Sequence, residues 1–164
     1  MIAYLHGMKI KLLQLGKTQH DYLKQGVSFY EQRLRGFIPF ETDTIEPVRL
    51  PSGSTVAQVK LREGDNILAR LRPEDKLVLL DEKGKKFNSQ GFADFIQKRL
   101  KEGLKNLVFV IGGAYGFSDQ VYARAQWQVS LSEMTFSHQL IRLIFMEQLY
   151  RAMTILNNHP YHHE

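Results

Sequence analysis

The hydrophobic and polar positions along this chain change period several times. Residues 9–15 (KIKLLQL) mix alternation with apolar β-formers and stop at Gly16, the pattern of a strand. Over 19–34 the apolar set Tyr22, Leu23, Val27, Tyr30 and Leu34 takes helical spacing. Residues 40–48 read as a second strand punctuated by Pro39 and Pro47, and Pro51, Ser52, Gly53 and Ser54 form a loop. Ser54 or Thr55 is placed to cap a helix running to about Leu71, with Val59, Leu61, Ile67, Leu68 and Leu71 as candidate core residues.

The run KLVLL (76–80) is nearly all apolar, as in a strand buried on both faces, and Asp81, Glu82, Lys83 and Gly84 read as a turn after it. Ser89 precedes a helix to about Glu102, with Phe92, Phe95, Ile96 and Leu100 on one face. LVFVI (107–111) is a second fully buried strand that runs straight into Gly112 and Gly113. Ser118 can cap a short helix with Val121 and Ala125 inward. Residues 127–131 form another short strand, and 138–156 carry a strong helical pattern. Strands and helices thus alternate, which predicts an α/β fold with a mostly parallel sheet and helices on both faces. There is no repeat or linker, so 8–164 reads as one domain. Met8 opens the first clean strand pattern, and 1–7 are expected to be an upstream extension with no structural role.

Composition narrows the function classes. The 164 residues are 43% hydrophobic, enough for a core without metal or disulfide staples, and Cys is absent. That removes thiolate metal sites and Cys nucleophiles, and it suits a reducing compartment; a cytoplasmic location is expected. No apolar run approaches the ~20 residues of a membrane span. The formal net charge of +5 favours polyanionic partners such as nucleic acid, although many small proteins carry such a surplus with no such role.

In open α/β sheets ligands bind beyond the carboxyl ends of the strands, which selects three segments. They are the end of KLVLLD (76–81), the end of LVFVIGGAYG (107–116) and the loop LSEMTFS (131–137). Gly112, Gly113 and Gly116 are either a tight turn or a cofactor loop; the spacing is neither the GxGxxG of dinucleotide sites nor a P-loop. Ser137 is a candidate N-cap, and the loop before it is either a plain connector or a polar-ligand site. The tail holds His159, His162 and His163, but Pro160 interrupts them and no acidic cluster completes a metal site, so no metal is expected. Arg142 and Arg151 lie on the last helix, where a solvated face is the plain reading and RNA contact the sharper one.

Taken together, FVIGGAYG (109–116), SLSEMTFSHQLIR (130–142), EQLYRA (147–152) and NHPYH (158–162) resemble the bacterial large-subunit ribosomal RNA pseudouridine N3-methyltransferases, in the SPOUT superfamily of knotted methyltransferases. The resemblance runs from Met8 to the end. It implies a C-terminal trefoil knot, a homodimer with each active site built from both subunits, and S-adenosylmethionine as cofactor. The implied substrate is a pseudouridine in helix 69 of 23S rRNA in the assembled ribosome.

Carried over by position, the implied cofactor contacts are Leu80, Gly112, Leu131, Ser132, Glu133, Met134, Thr135 and Phe136. The implied catalytic candidates are His138, Glu147, Tyr161, His162 and His163, and Arg142 and Arg151 are the candidates for RNA. His163 stands where many members have a basic residue; unperturbed His is mostly uncharged at neutral pH, so a phosphate grip there would be weak. The rival readings are an RNA-binding module without methyl transfer, and a nucleotide-binding enzyme on a doubly wound sheet.

Overall fold

The computed structural model describes residues 7–162. The expected extension 1–7 falls outside it except for Gly7, and so does His163. Five strands form one parallel sheet in the order β2-β1-β4-β3-β5. The strands are β1 (Lys9–Leu15), β2 (Phe40–Ile45), β3 (Lys76–Lys86), β4 (Asn106–Ile111) and β5 (Trp127–Ser130). The helices are α1 (Asp21–Leu34), α2 (Val56–Leu68), α3 (Ser89–Lys101), α4 (Asp119–Arg124) and α5 (Leu140–Leu156).

Successive strand side chains point to opposite faces, and the core divides accordingly. Ile10, Leu12, Val78, Leu107, Phe109 and Ile111 pack with Leu34 of α1, Phe92 and Ile96 of α3, and Phe145 and Leu149 of α5. Leu13, Leu77, Leu79, Val108 and Val110 pack with Ile67 of α2 and Val121 of α4. Both faces of β3 and β4 are therefore covered, which is why KLVLL and LVFVI are continuous apolar runs.

The caps explain where the helices start. Thr55 and Gln58 form a reciprocal pair before α2: Gln58 N donates to Thr55 Oγ1 (3.2 Å) and Thr55 N to Gln58 Oε1 (2.8 Å). Ser118 caps α4 as expected. Asn88, one residue ahead of the expected Ser89, caps α3 by accepting from Gly91 N (2.8 Å). The regular turns of α5 begin at Leu140, but Ser137 still receives the Leu140 N–H (3.1 Å) and so caps its entry.

Four expectations need correction. The polar stretch 81–84 is not a simple turn; β3 runs on through it to Lys86. Leu80 and Lys85 both stand opposite Val129, so the intervening residues bulge and the strand then pairs again with β5. Gly84 permits this, because a β-carbon there would sit 2.5 Å from Val129 N. Leu61 is 48% exposed and Tyr22 65% exposed, so neither belongs to the core; Gly64 and Ile67 form the inner side of α2 instead. The second strand ends at Ile45, two residues before Pro47, which has no N–H to donate to a ladder.

Candidate functional site

Strands β4, β3 and β5 are neighbours and parallel, so their carboxyl ends open on the same edge of the sheet. The bulge of β3 at 80–83 and the segments that follow β4 and β5 meet around one cavity of about 750 Å³. Leu80, Gly112, Leu131, Ser132, Met134, Thr135 and Phe136 all line it, as does His138 at the start of α5. Glu133 is the exception among the expected cofactor contacts: its carboxylate turns away to an ion pair with Lys86, which holds its pKa below the usual carboxylate range.

The glycine run is both a turn and a cavity wall. Gly116 takes φ +80° and donates back to Gly113 O (3.2 Å), closing the loop after β4. A β-carbon at Gly112 would lie 3.0 Å from the Phe117 ring, and one at Gly113 would lie 2.5 Å from Glu63 Oε2. Side chains at these two positions are thus excluded by Phe117 and Glu63. Burial raises the pKa of Glu63, and its Oε2 meets no hydrogen-bond donor among the described residues.

The loop after β5 is held by its own serines. Ser130 Oγ donates to Ser132 O (2.9 Å), and Ser132 Oγ accepts from Met134 N (2.9 Å). That short lattice leaves Met134 76% exposed over the cavity.

Two residues that sequence reasoning missed sit in the same wall. Asp81, directly after Leu80, accepts the Lys83 N–H at Oδ1 (2.9 Å) and the Tyr122 hydroxyl at Oδ2. Burial, and then this bond, push the Tyr122 phenol up to about 12. Glu82 and Asp119 add negative charge, and Lys60 is a cation in the lining. An aspartate directly after the apolar run KLVLL was the available signal; nothing in the sequence linked it to a tyrosine 41 positions away.

The other catalytic candidates gather elsewhere. After α5 the chain reverses through Asn158, at φ +52°, and runs back along the helix. Tyr161 OH then donates to Glu147 Oε1 (3.2 Å) and lies 3.3 Å from Tyr30 OH. Arg151 donates to the same Glu147 oxygen from Nε (3.0 Å) and Nη2 (2.5 Å), and its Nη1 is 3.3 Å from His162 Nδ1. Burial first, and the hydrogen bond shared with Tyr30 next, raise the pKa of Tyr161, so it is a neutral donor. Glu147, Arg151, Tyr161 and His162 are thus one cluster, and none of them lines the cavity of its own chain.

Arg142 corrects the expectation of a solvated or RNA-facing side chain. It is 1% exposed and donates to Leu15 O (2.7 Å), Gly16 O (3.0 Å), Thr18 Oγ1 (3.1 Å) and His138 O (3.1 Å). With its guanidinium committed to the loop after β1, it has no surface to offer a phosphate. Among the described residues no group of three His, Asp or Glu side chains is arranged for a metal; His159 packs edge-on against Phe37 while His162 meets Arg151.

The model of the family described as "Predicted SPOUT methyltransferase" matches residues 8–162. The chain belongs to this family. Similar proteins named "Ribosomal RNA large subunit methyltransferase H" include that of Parabacteroides distasonis, 53% identical over 157 residues that span 96% of this chain and all of the relative. That of Porphyromonas gingivalis is 52% identical with the same coverage, and that of Christiangramia forsetii 51% identical over 95% of this chain and 99% of the relative. A SPOUT methyltransferase needs a methyl donor, and this cavity offers one both apolar and polar surface. Leu80, Ile111, Leu131 and Ile141 give it apolar walls, the glycine loop gives it main chain, and the carboxylates of Asp81, Glu82 and Asp119 stand against the cations Lys60 and Lys83. No described helix is long and apolar enough to cross a membrane.

Proposed function

We propose that this protein transfers a methyl group from S-adenosylmethionine to N3 of a pseudouridine in helix 69 of 23S rRNA, acting on assembled ribosomes in the cytoplasm as a homodimer. The observation that carries this reading is the meeting of the β3 bulge at 80–83 with the carboxyl ends of β4 and β5 in one cavity. Leu80, Gly112, Leu131, Ser132, Met134, Thr135 and Phe136 would hold the cofactor there, mainly through main-chain groups. When bound, the cofactor supplies an electrophilic methyl on sulfur, open to in-line attack.

The chain's own part is to position the acceptor and manage one proton. N3 of pseudouridine is an imide nitrogen whose proton must leave before or during attack, and a base of matched pKa assists. His138 is the candidate base on the cavity's own chain. Glu147 is already an acceptor for Arg151 and Tyr161, so its role is to position the tail rather than to take the proton. In a homodimer the Tyr161–His162 end of one subunit would complete the cavity of the other. His162 and His163 are then the second set of candidate bases. The reading includes the single domain 8–164 and the trefoil knot, with α5 as the threaded element.

The test is mass spectrometry of 23S rRNA from cells lacking and regaining the gene. One methyl on a helix 69 pseudouridine should vanish and return. Calorimetry with S-adenosylmethionine separates this reading from an RNA-binding module without methyl transfer, which would show no saturable uptake.

A further inference from the structure

A second groove, of about 880 Å³, lies between α3 and the edge strand β5, and Lys83 lines both it and the cofactor cavity. Its chemistry differs from that of the first. Lys83, Lys85, Lys98 and Arg99 contribute four cations to its wall, against the carboxylate of Asp94. Glu102 stands beside Arg99, with its Oε2 3.4 Å from Nη1. The aromatic surfaces of Phe87, Phe95 and Trp127 complete the lining.

Arg99 shows that the groove is built rather than incidental. Its side chain is 7% exposed, with the guanidinium 4.1 Å from the Trp127 ring centre and 4.9 Å from that of Phe95. Its Nε is buried and meets no acceptor among the described residues. A buried cationic donor without an acceptor is costly, and the long contact with Glu102 only partly offsets that cost. Nothing in the methyl-transfer chemistry uses these residues.

We propose that this α3–β5 groove binds the single-stranded RNA that flanks the methylated nucleotide. Cations tracking a backbone are what holds the phosphates of unpaired nucleic acid, and here they stand over half-buried aromatic rings, Lys85 against Phe87 and Arg99 against Phe95 and Trp127. A target base entering the cavity leaves its neighbouring phosphates near Lys83, where the groove begins. The proposal rests on the functional reading above for the identity of the RNA. It adds a surface that positions the substrate without touching the reacting atoms, because phosphate contacts set register while chemistry occurs at the base.

The experiment uses the double variant Lys85→Ala/Lys98→Ala. A second double variant, Lys24→Ala/Lys105→Ala, removes the same charge outside the groove. Binding of a fluorescent single-stranded RNA is titrated against salt, alongside calorimetry with S-adenosylmethionine and the KM for ribosomes. The groove variant should bind the RNA about tenfold more weakly, and its log K against log salt slope should fall by about 1.4, at about 0.7 per phosphate contact on a single strand. Its cofactor affinity should be unchanged, its KM for ribosomes should rise, and the control variant should match the wild type. Equal slopes in the two double variants overturn the proposal. So does weakened ribosome affinity with unchanged RNA binding, which would assign the groove to a ribosomal protein. Failure of the wild type to methylate rRNA would instead sink the functional reading, and the oligonucleotide titration would still report on the groove.

Discussion

Arg142 on α5 donates to the carbonyl of Leu15, the last residue of β1, across 2.7 Å. With its bonds to Gly16 O, Thr18 Oγ1 and His138 O, this side chain ties the entry of the last helix to the loop leaving the first strand. Replacing it with Met leaves buried acceptors without a donor. Arg142→Met should therefore lose about 2–4 kcal/mol in urea unfolding. Arg142→Lys should recover less than half of that, since one ammonium cannot match the planar fork. Unfolding midpoints equal to wild type would show that the bonds are replaced by water at no cost.

Tyr122 and Asp81 act as a pair in the cavity wall. Without the phenol, the Asp81 carboxylate keeps only the Lys83 N–H and loses its fixed direction. Tyr122→Phe should weaken cofactor binding by about tenfold, the equivalent of one charge-assisted hydrogen bond at about 1.4 kcal/mol. Because the phenol is pushed up to about 12, wild-type affinity should hold steady through about pH 10, where an ordinary tyrosine begins to ionise. A titration that breaks at that ordinary value would disprove the pairing.

Glu63 and Gly113 make a second testable pair. Burial raises the Glu63 pKa, so its neutral form is the one that suits the fold. The stability it contributes is complete below the unfolded carboxyl pKa and is lost as pH rises through the folded value. Glu63→Gln should therefore be more stable than wild type at neutral pH, with the gap closing under acid; thermal melts across pH read this directly. Gly113→Ala places a methyl on the same carboxylate, which displaces the loop and should lower cofactor affinity at least tenfold, and Glu63→Ala should restore part of it. Additive effects of the two changes would mean that they act separately.

The C-terminal tail should separate chemistry from cofactor binding. Deleting 161–164 removes Tyr161 and His162 from Glu147 and Arg151 but leaves the cavity of the same chain intact. Calorimetric affinity for S-adenosylmethionine should stay within a factor of about two, while methylation falls by about 100-fold or more, the usual scale of a lost general base. Full activity in the truncated protein would take the tail out of the mechanism.

Much of this architecture could be read in advance, for identifiable reasons. KLVLL and LVFVI are apolar on both faces because both faces are covered, and the strand-end rule then indicated the three segments around the cavity. Continuation of β3 through Asp81 and Lys86 was illegible because edge pairing there uses main-chain groups and leaves the side chains polar. Arg142 looked solvated because a charge on a helix carries no mark of the loop that will cover it; only the path of 15–18 buries it. Asp81 was visible as an acid after a strand, but its partner Tyr122 was not, since their meeting depends on the placement of α4 against β3.

The position of β1 within the sheet also bears on how the protein is made. One side of β1 finds β2 soon after both are translated, but the other waits for β4, about ninety residues later. At the usual pace of synthesis that interval lasts roughly 5–20 s, during which a hydrophobic strand keeps one ladder of amides and carbonyls bare. Nascent chains of this length are thus open to capture by holdase chaperones or to pairing with neighbours on the same polysome, and slower codons ahead of Asn106 would prolong the exposure.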